Sequence, residues 1–319
     1  MTRAPAATRP ILAHNLARRK KTLLLTSMAL PGALWLLLLR YLPMFGLVFA
    51  FQTDRIRPTL WDRVIKNAWT GFKNFEFLFT TSDSWRMVRN TIAYNAVWIV
   101  LGLVVSVAFA IILNEIPRKF LGKTYQTLMF FPYFISWVVV SYFVFAFLSP
   151  DKGLLTFWQR SLGQTPVDWY NTPGPWPYVL TLAYLWKNVG YSCILYLAAI
   201  TGIDASQYEA AGIDGATKWQ QVRFVTLPHL RNMIIILLIM SVGKIFNSDF
   251  GLFYNVPRDS GPLFSATQVV DTFVYRALAK TGNVGMSTAA GLFQNVVNFV
   301  VIMLVNTLFR KIDPETALF

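Results

Sequence analysis

Three stretches of this chain, 91–114, 124–150 and 287–309, contain no charged side chain. Each exceeds the roughly 18 residues that mark a candidate membrane span, since a helix rising about 1.5 Å per residue needs about 20 apolar residues to cross about 30 Å of hydrocarbon. Three further runs fit with small interruptions. Residues 22–39 are uncharged, 178–200 are broken only by Lys187, and 232–251 carry Lys244 and Asp249. Lipid offers no hydrogen bonds to a bare backbone, so such runs read as helices. The expected fold class is all-α: a polytopic membrane protein with six transmembrane helices. The short apolar stretch 75–79 reads as an interfacial helix ahead of span two.

Composition narrows the choice. Only 14% of the 319 residues are charged, against about 25% in soluble domains. The one cysteine, Cys193, excludes an intrachain disulfide framework. The formal net charge of +14 comes from Lys and Arg that flank apolar runs, a pattern suited to an anionic bilayer and not to nucleic acid. Six spans put both termini on one side. Residues 1–22 hold Arg3, Arg9, Arg18, Arg19, Lys20 and Lys21 with no acidic residue, so that side reads as cytoplasmic. A cleavable signal peptide fits poorly, because the first run is long and lacks a small-residue cleavage pattern. The organisation is then a basic cytoplasmic segment 1–22, one transmembrane domain 23–311 and a cytoplasmic tail 312–319. Loops 115–123 and 201–231 lie inside and the Pro- and Trp-rich loop 151–177 lies outside.

The loop between spans four and five, 204–230, reads DASQYEAAGIDGATKWQQVRFVTLPHL. Ser206 with Glu209, and Thr217 with Gln220, have the spacing of capping boxes. Gly212 and Gly215 between them allow a stop and a turn. Trp219 and Val222 fall on one helical face, and Pro228 is placed to end the element before span five. Two short helices with a glycine bend form a knuckle suited to docking a cytosolic partner.

The residues Glu209-Ala210-Ala211, Gly215, Val225 and Leu227-Pro228, at their spacing, resemble the EAA loop of binding-protein-dependent ABC importer permeases; Val225 departs from the usual isoleucine. GFKNFEFLF (71–79) with RNTIAYN (89–95) resembles the entry to the family's core, and GLFQNVVNFVVIMLVNTLFRK (291–311) is similar to the last helix of its polysaccharide and oligosaccharide branch, which includes alginate-type importers. The resemblance implies a permease subunit in a bacterial cytoplasmic (inner) membrane, working by alternating access. It implies Glu209, Ala210, Ala211, Gly215, Leu227 and Pro228 as ATPase-coupling residues. The implied partners are a second permease subunit forming a heterodimer, two cytoplasmic ATPase subunits that bind ATP and Mg, and an extracytoplasmic solute-binding protein.

The chain itself has no phosphate-cradling motif. Gly122-Lys123-Thr124 is a near match, but Pro117 stands where the first glycine belongs. His14 and His229 are far apart and suggest no metal site, and no nucleophile constellation is evident, so the chain reads as non-catalytic and free of a cofactor of its own. Lys187 lies about 14 Å into span four, with Tyr184, Asn188 and Tyr191 on its face. Lys244 and Asn247 repeat the pattern in span five. Ionisable groups at such depth face a cavity or a partner, so these six residues are the expected substrate pathway, and two cations favour an acidic oligosaccharide such as alginate fragments. The asparagines of span six, Asn295, Asn298 and Asn306, read as interhelical hydrogen-bonding groups. Asp249 sits five residues from Lys244, the wrong spacing for a helical pair, and is expected to bond a neighbouring helix. The alternative function is a secondary transporter or channel without an ATPase; broken helices and inverted repeats, its structural marks, are not evident in the sequence.

Overall fold

The computed structural model describes residues 9–53 and 59–312. Among these, regular structure is helical, with a lone bridge between Gln52 and Trp69. Arg3 and most of the tail 312–319 lie outside the described residues. Four helices are long and apolar enough to cross a membrane: Lys21–Phe51, Ser82–Asn114, Lys218–Val242 and Val284–Lys311. The count reaches six if two bent pairs each make one span, Lys119–Phe134 with Trp137–Leu148 at 98°, and Trp176–Thr201 with Ala205–Ile213 at 70°. These are spans one to six in chain order, with Trp176–Thr201 as span four.

Span two is the hub. Its first half, with Tyr94 and Trp98, enters a core with Val140 of span three, Leu180 and Ala183 of span four, and Leu252 and Phe253 beyond span five. Its second half, with Val107, Ala110 and Leu113, packs on Cys193, Tyr196 and Ile200 of span four and Leu230 of span five. Trp98 stacks on Tyr184 with ring centroids 4.0 Å apart and donates to the Thr181 hydroxyl at 3.1 Å. The interfacial stretch forms short helices, Lys73–Phe75 and Phe77–Thr80. Span one stands apart: none of its apolar window is buried, and Leu23, Trp35 and Leu39 are among its exposed side chains. Only its far end is held, where Asn74 donates to the carbonyls of Ala50 at 3.0 Å and Gln52 at 2.8 Å.

Three expectations about span shape are corrected. Span three is not one straight helix over 124–150. Pro132 lies in the turn that precedes Ile135, whose backbone is extended, and Ser136 restarts the helix by accepting from Val139 N–H. Span five ends at Val242 and does not reach residue 251, so Lys244, Asn247 and Asp249 lie in a non-helical break. Broken helices are therefore present. Pro228 does not end an element either: Lys218–Val242 runs through a wide π turn at Val222–Thr226, and Pro228 follows directly on it, where the wider turn accommodates a residue that has no N–H to donate.

Candidate functional site: the loop knuckle and two helix breaks

The loop after span four is rigid by local means. The helix Ala205–Ile213 is capped by Asp204, whose carboxylate accepts from Ser206 N–H at 2.9 Å. That hydrogen bond holds the Asp204 pKa below the ordinary carboxylate value. Ser206 is thus inside the helix, and the expected Ser206–Glu209 box is not the cap. The second box forms as expected: Gln220 N–H donates to Thr217 Oγ1 at 3.4 Å and Thr217 N–H donates to Gln220 Oε1 at 2.7 Å. Gly212 belongs to the first helix. The turn is made by Gly215 alone, at φ +78°, a left-handed conformation costly for any residue with a Cβ. Tyr208 and Thr226 hydroxyls meet at 2.9 Å and tie the first helix to span five.

The break in span three exposes helix-end carbonyls in the middle of the bundle. Lys187 answers them. Buried to 8% exposure, its ammonium donates to the carbonyls of Tyr133 at 2.6 Å, Ile135 at 2.5 Å and Pro132 at 3.4 Å. A cation there satisfies orphan acceptors and meets the negative end of the helix dipole. Gly190, one turn on, lets span four touch span three backbone to backbone; a Cβ there would run into the Met129 carbonyl oxygen. The break after span five is satisfied from four directions. Asn95 of span two donates to the carbonyls of Ile245 at 2.9 Å and Asn247 at 3.0 Å. From span six, Asn298 Oδ1 accepts from Phe246 N–H at 3.0 Å and Gln294 donates to the Phe246 carbonyl at 2.6 Å. Asp271 accepts from Ser248 N–H at 2.7 Å, and Asp249 accepts from the Trp137 indole at 2.6 Å. Irregular backbone at membrane depth persists where protein groups surround it.

With this geometry in place, comparison with known proteins is decisive. Residues 99–314 match the family described as binding-protein-dependent transport system inner membrane component. The chain belongs to this family. It is similar to the polygalacturonan/rhamnogalacturonan transport system permease protein YteP of Bacillus subtilis, 33% identical over 90% of this chain and 88% of that one. Two crystal structures are also similar. One is a chain of a bacterial ABC transporter involved in the import of the acidic polysaccharide alginate, at 30% identity and TM-score 0.83, covering 94% of this chain and 99% of that one. The other is a chain of a bacterial alginate ABC transporter in complex with an alginate pentasaccharide-bound periplasmic protein, at 31% identity and TM-score 0.81, covering 92% and 96%.

As an ABC permease subunit the chain is a non-catalytic membrane component. Among the described residues no three of His, Cys, Asp and Glu gather as a metal site. The permease's knuckle exposes Glu209, Ala210, Gly215 and Pro228, half-buries Ala211, and turns Leu227 inward against the core of spans two and four. Trp219 and Val222 do not share an environment, Trp219 being 68% exposed and Val222 buried. Ile213 and Phe224, exposed at 87% and 68%, join Trp219 as apolar side chains on the same short loop. Neither was legible as surface, because each fits the apolar pattern of its own helix.

The expected pathway residues divide. Lys187 is occupied by backbone carbonyls, a structural duty in place of an open charge, and Tyr184 lies under Trp98. Asn188 donates to Tyr184 O of its own helix at 2.9 Å. Tyr191 is 42% exposed and stacks on Tyr133, and Lys244 and Asn247 are exposed beside the break. Asp249 does bond a neighbouring helix. Of the span-six asparagines, Asn298 bonds across helices while Asn295 donates to Gly291 O of its own turn at 2.9 Å. Gln294, Asp271, Gly190 and Gly251 were missed; only their distant partners give them meaning.

Proposed function

We propose that this permease is one membrane half of an ATP-driven importer of acidic oligosaccharide, with loop 204–230 facing the cytoplasm as the docking knuckle for a separate ATPase. The observation that carries the reading is the knuckle itself: Glu209 and Ala210 stand exposed and Ala211 half-buried on a capped helix, with Ile213, Trp219 and Phe224 uncovered close by in the chain. Exposed apolar groups with a polar rim mark protein interaction sites. Ala210 lets a partner approach closely, and Glu209 offers a carboxylate to a basic group. The neighbouring transporters' acidic polysaccharide cargo supports the substrate class, as do Lys244 and Asn247, exposed beside the span-five break.

The partners follow. ATP and Mg bind on two cytoplasmic ATPase subunits, a solute-binding protein delivers the sugar from outside, and a second permease subunit completes the pathway. Span one, uncovered along its apolar window, fits a chain that finishes its packing against another subunit or lipid. The orientation keeps both termini in the cytoplasm of a bacterial inner membrane, with 23–311 as the transmembrane domain between the basic segment 1–22 and the tail 312–319.

The test is the reconstituted complex. Cysteine at Ala210 is expected to crosslink to the ATPase, and Lys244→Ala to lower uptake of a uronate pentasaccharide relative to a neutral maltopentaose. Crosslinks to lipid alone with uptake intact would falsify the docking role. An unchanged charged-to-neutral ratio would remove Lys244 from substrate reading.

A further inference from the structure

The two helix breaks are joined through three side chains. Lys187 holds the carbonyl end of span three's first half, and its ammonium lies 5.5 Å from the centroid of the Tyr133 ring and 5.4 Å from that of Trp137. Trp137 begins the second half of span three, and its indole N–H donates to Asp249 Oδ2 at 2.6 Å. The other oxygen of Asp249 accepts from Leu252 N–H at 3.3 Å, capping the short helix Phe250–Asn255 that follows the span-five break. Two glycines permit these approaches. A Cβ on Gly190 would enter the Met129 carbonyl, and a Cβ on Gly251 would enter the Trp137 ring.

Lys187 also belongs to an unbroken helix. Trp176–Thr201 runs from the loop that precedes it to within a few residues of the knuckle helix Ala205–Ile213. Displacement of the knuckle therefore has a stiff rod on which to act, and the rod carries at mid-length the cation that closes span three.

We propose that Lys187, Trp137 and Asp249 form a latch that makes both breaks move together with span four, as positioning residues for translocation. The proposal rests on the reading of the knuckle as an ATPase dock. Withdrawing the ammonium would leave the Tyr133 and Ile135 carbonyls without that donor, the Pro132 carbonyl keeping the Ile135 N–H at 3.1 Å, and withdrawing the indole would do the same to a carboxylate oxygen. Such a contact favours discrete arrangements, made or released, over continuous stretching. Trp137 is central because it touches both charged groups. A purely static brace would use the same bonds, so the test has to read coupling.

The experiment uses the complete complex in proteoliposomes, with its binding protein offered alginate and oligogalacturonate pentasaccharides, and compares Lys187→Met, Lys187→Arg, Trp137→Phe and the Lys187→Met/Trp137→Phe double variant. In Lys187→Met and Trp137→Phe the sugar delivered per ATP is expected to fall about fivefold and unstimulated hydrolysis to rise about fivefold, the lower end of ordinary coupling between sites. Residues acting as one unit are non-additive, so the double variant is expected to be no worse than Lys187→Met, and Lys187→Arg is expected to recover much of the loss. Wild-type values of both ratios in the single variants, or additive losses in the double, would overturn the latch. If Lys187→Met fails to assemble, Trp137→Phe, which removes one N–H and keeps an aromatic ring, decides in the same two directions. A wild-type complex that hydrolyses ATP yet moves none of these sugars overturns the cargo reading instead; unstimulated hydrolysis in Trp137→Phe then decides the latch, a rise upholding it and an unchanged rate overturning it.

Discussion

The knuckle and the helix breaks face the same problem, backbone polar groups left outside a helix, and solve it over different distances in sequence. In the knuckle the partners are two or three residues away: Asp204 for Ser206, Thr217 for Gln220, Gln220 for Thr217. Water completes what the caps leave. At the breaks, with lipid around the bundle, partners arrive from far along the chain, Lys187 for Tyr133 and Ile135, Asn95 and Asn298 for the segment after Val242. Local caps make a loop that can hold its shape while exposed. Distant caps make a break that exists only while several spans are assembled, so its loss is a loss of the whole bundle.

The contrast can be tested most severely at Asn95. Asn95→Leu leaves the half-buried Ile245 carbonyl and the exposed Asn247 carbonyl without their donor and is expected to destabilise the complex by about 2–3 kcal/mol, most of it at Ile245, since an acceptor left unsatisfied away from water costs about 1–3. Thermal unfolding in nanodiscs would measure it, and a stability near wild type would mean the break does not need its distant partner. Gly190→Ala comes next. Overpacking against the Met129 carbonyl is expected to cost about 2 kcal/mol, and crosslinking efficiency between spans three and four would fall with it. Thr217→Ala removes a local cap for about 1 kcal/mol, seen as faster amide exchange confined to 217–226; spread of that change into spans two or six would erase the distinction between the regions.

The smallest effect expected is one of pH. The Asp204 pKa is depressed in the folded chain, so its cap contributes fully above the unfolded value of about 4 and fades as pH falls through the lower folded value. Amide exchange at 205–208, corrected for intrinsic rate, should therefore rise in acid in the wild type and stay flat in Asp204→Asn, which keeps a capping oxygen that does not titrate.

Most of the helical architecture was legible because the roughly 30 Å thickness of hydrocarbon fixes how long an apolar run must be to cross it. The knuckle was legible for a related reason: Thr217 and Gln220 cap each other wherever the rest of the chain goes, and Gly215 supplies its own turn. Even there the choice between Asp204 and Ser206 as cap was not, since both have oxygens in reach and a shift of two residues in register separates them.

The chain's amino acids by themselves determined that it spans a membrane, roughly where, and that one loop is built to be exposed. Tertiary structure alone decided that span three bends by 98° and that span five stops at Val242. In the uncharged run 124–150, Pro132 marks where a helix could break but not that it does, because a break costs unpaired carbonyls, and whether that cost is met depends on an ammonium more than 50 residues away in sequence. The same dependence changed the reading of Lys187 from an open charge to a structural one: its depth was set by its place in span four, its role by what span three brought beside it.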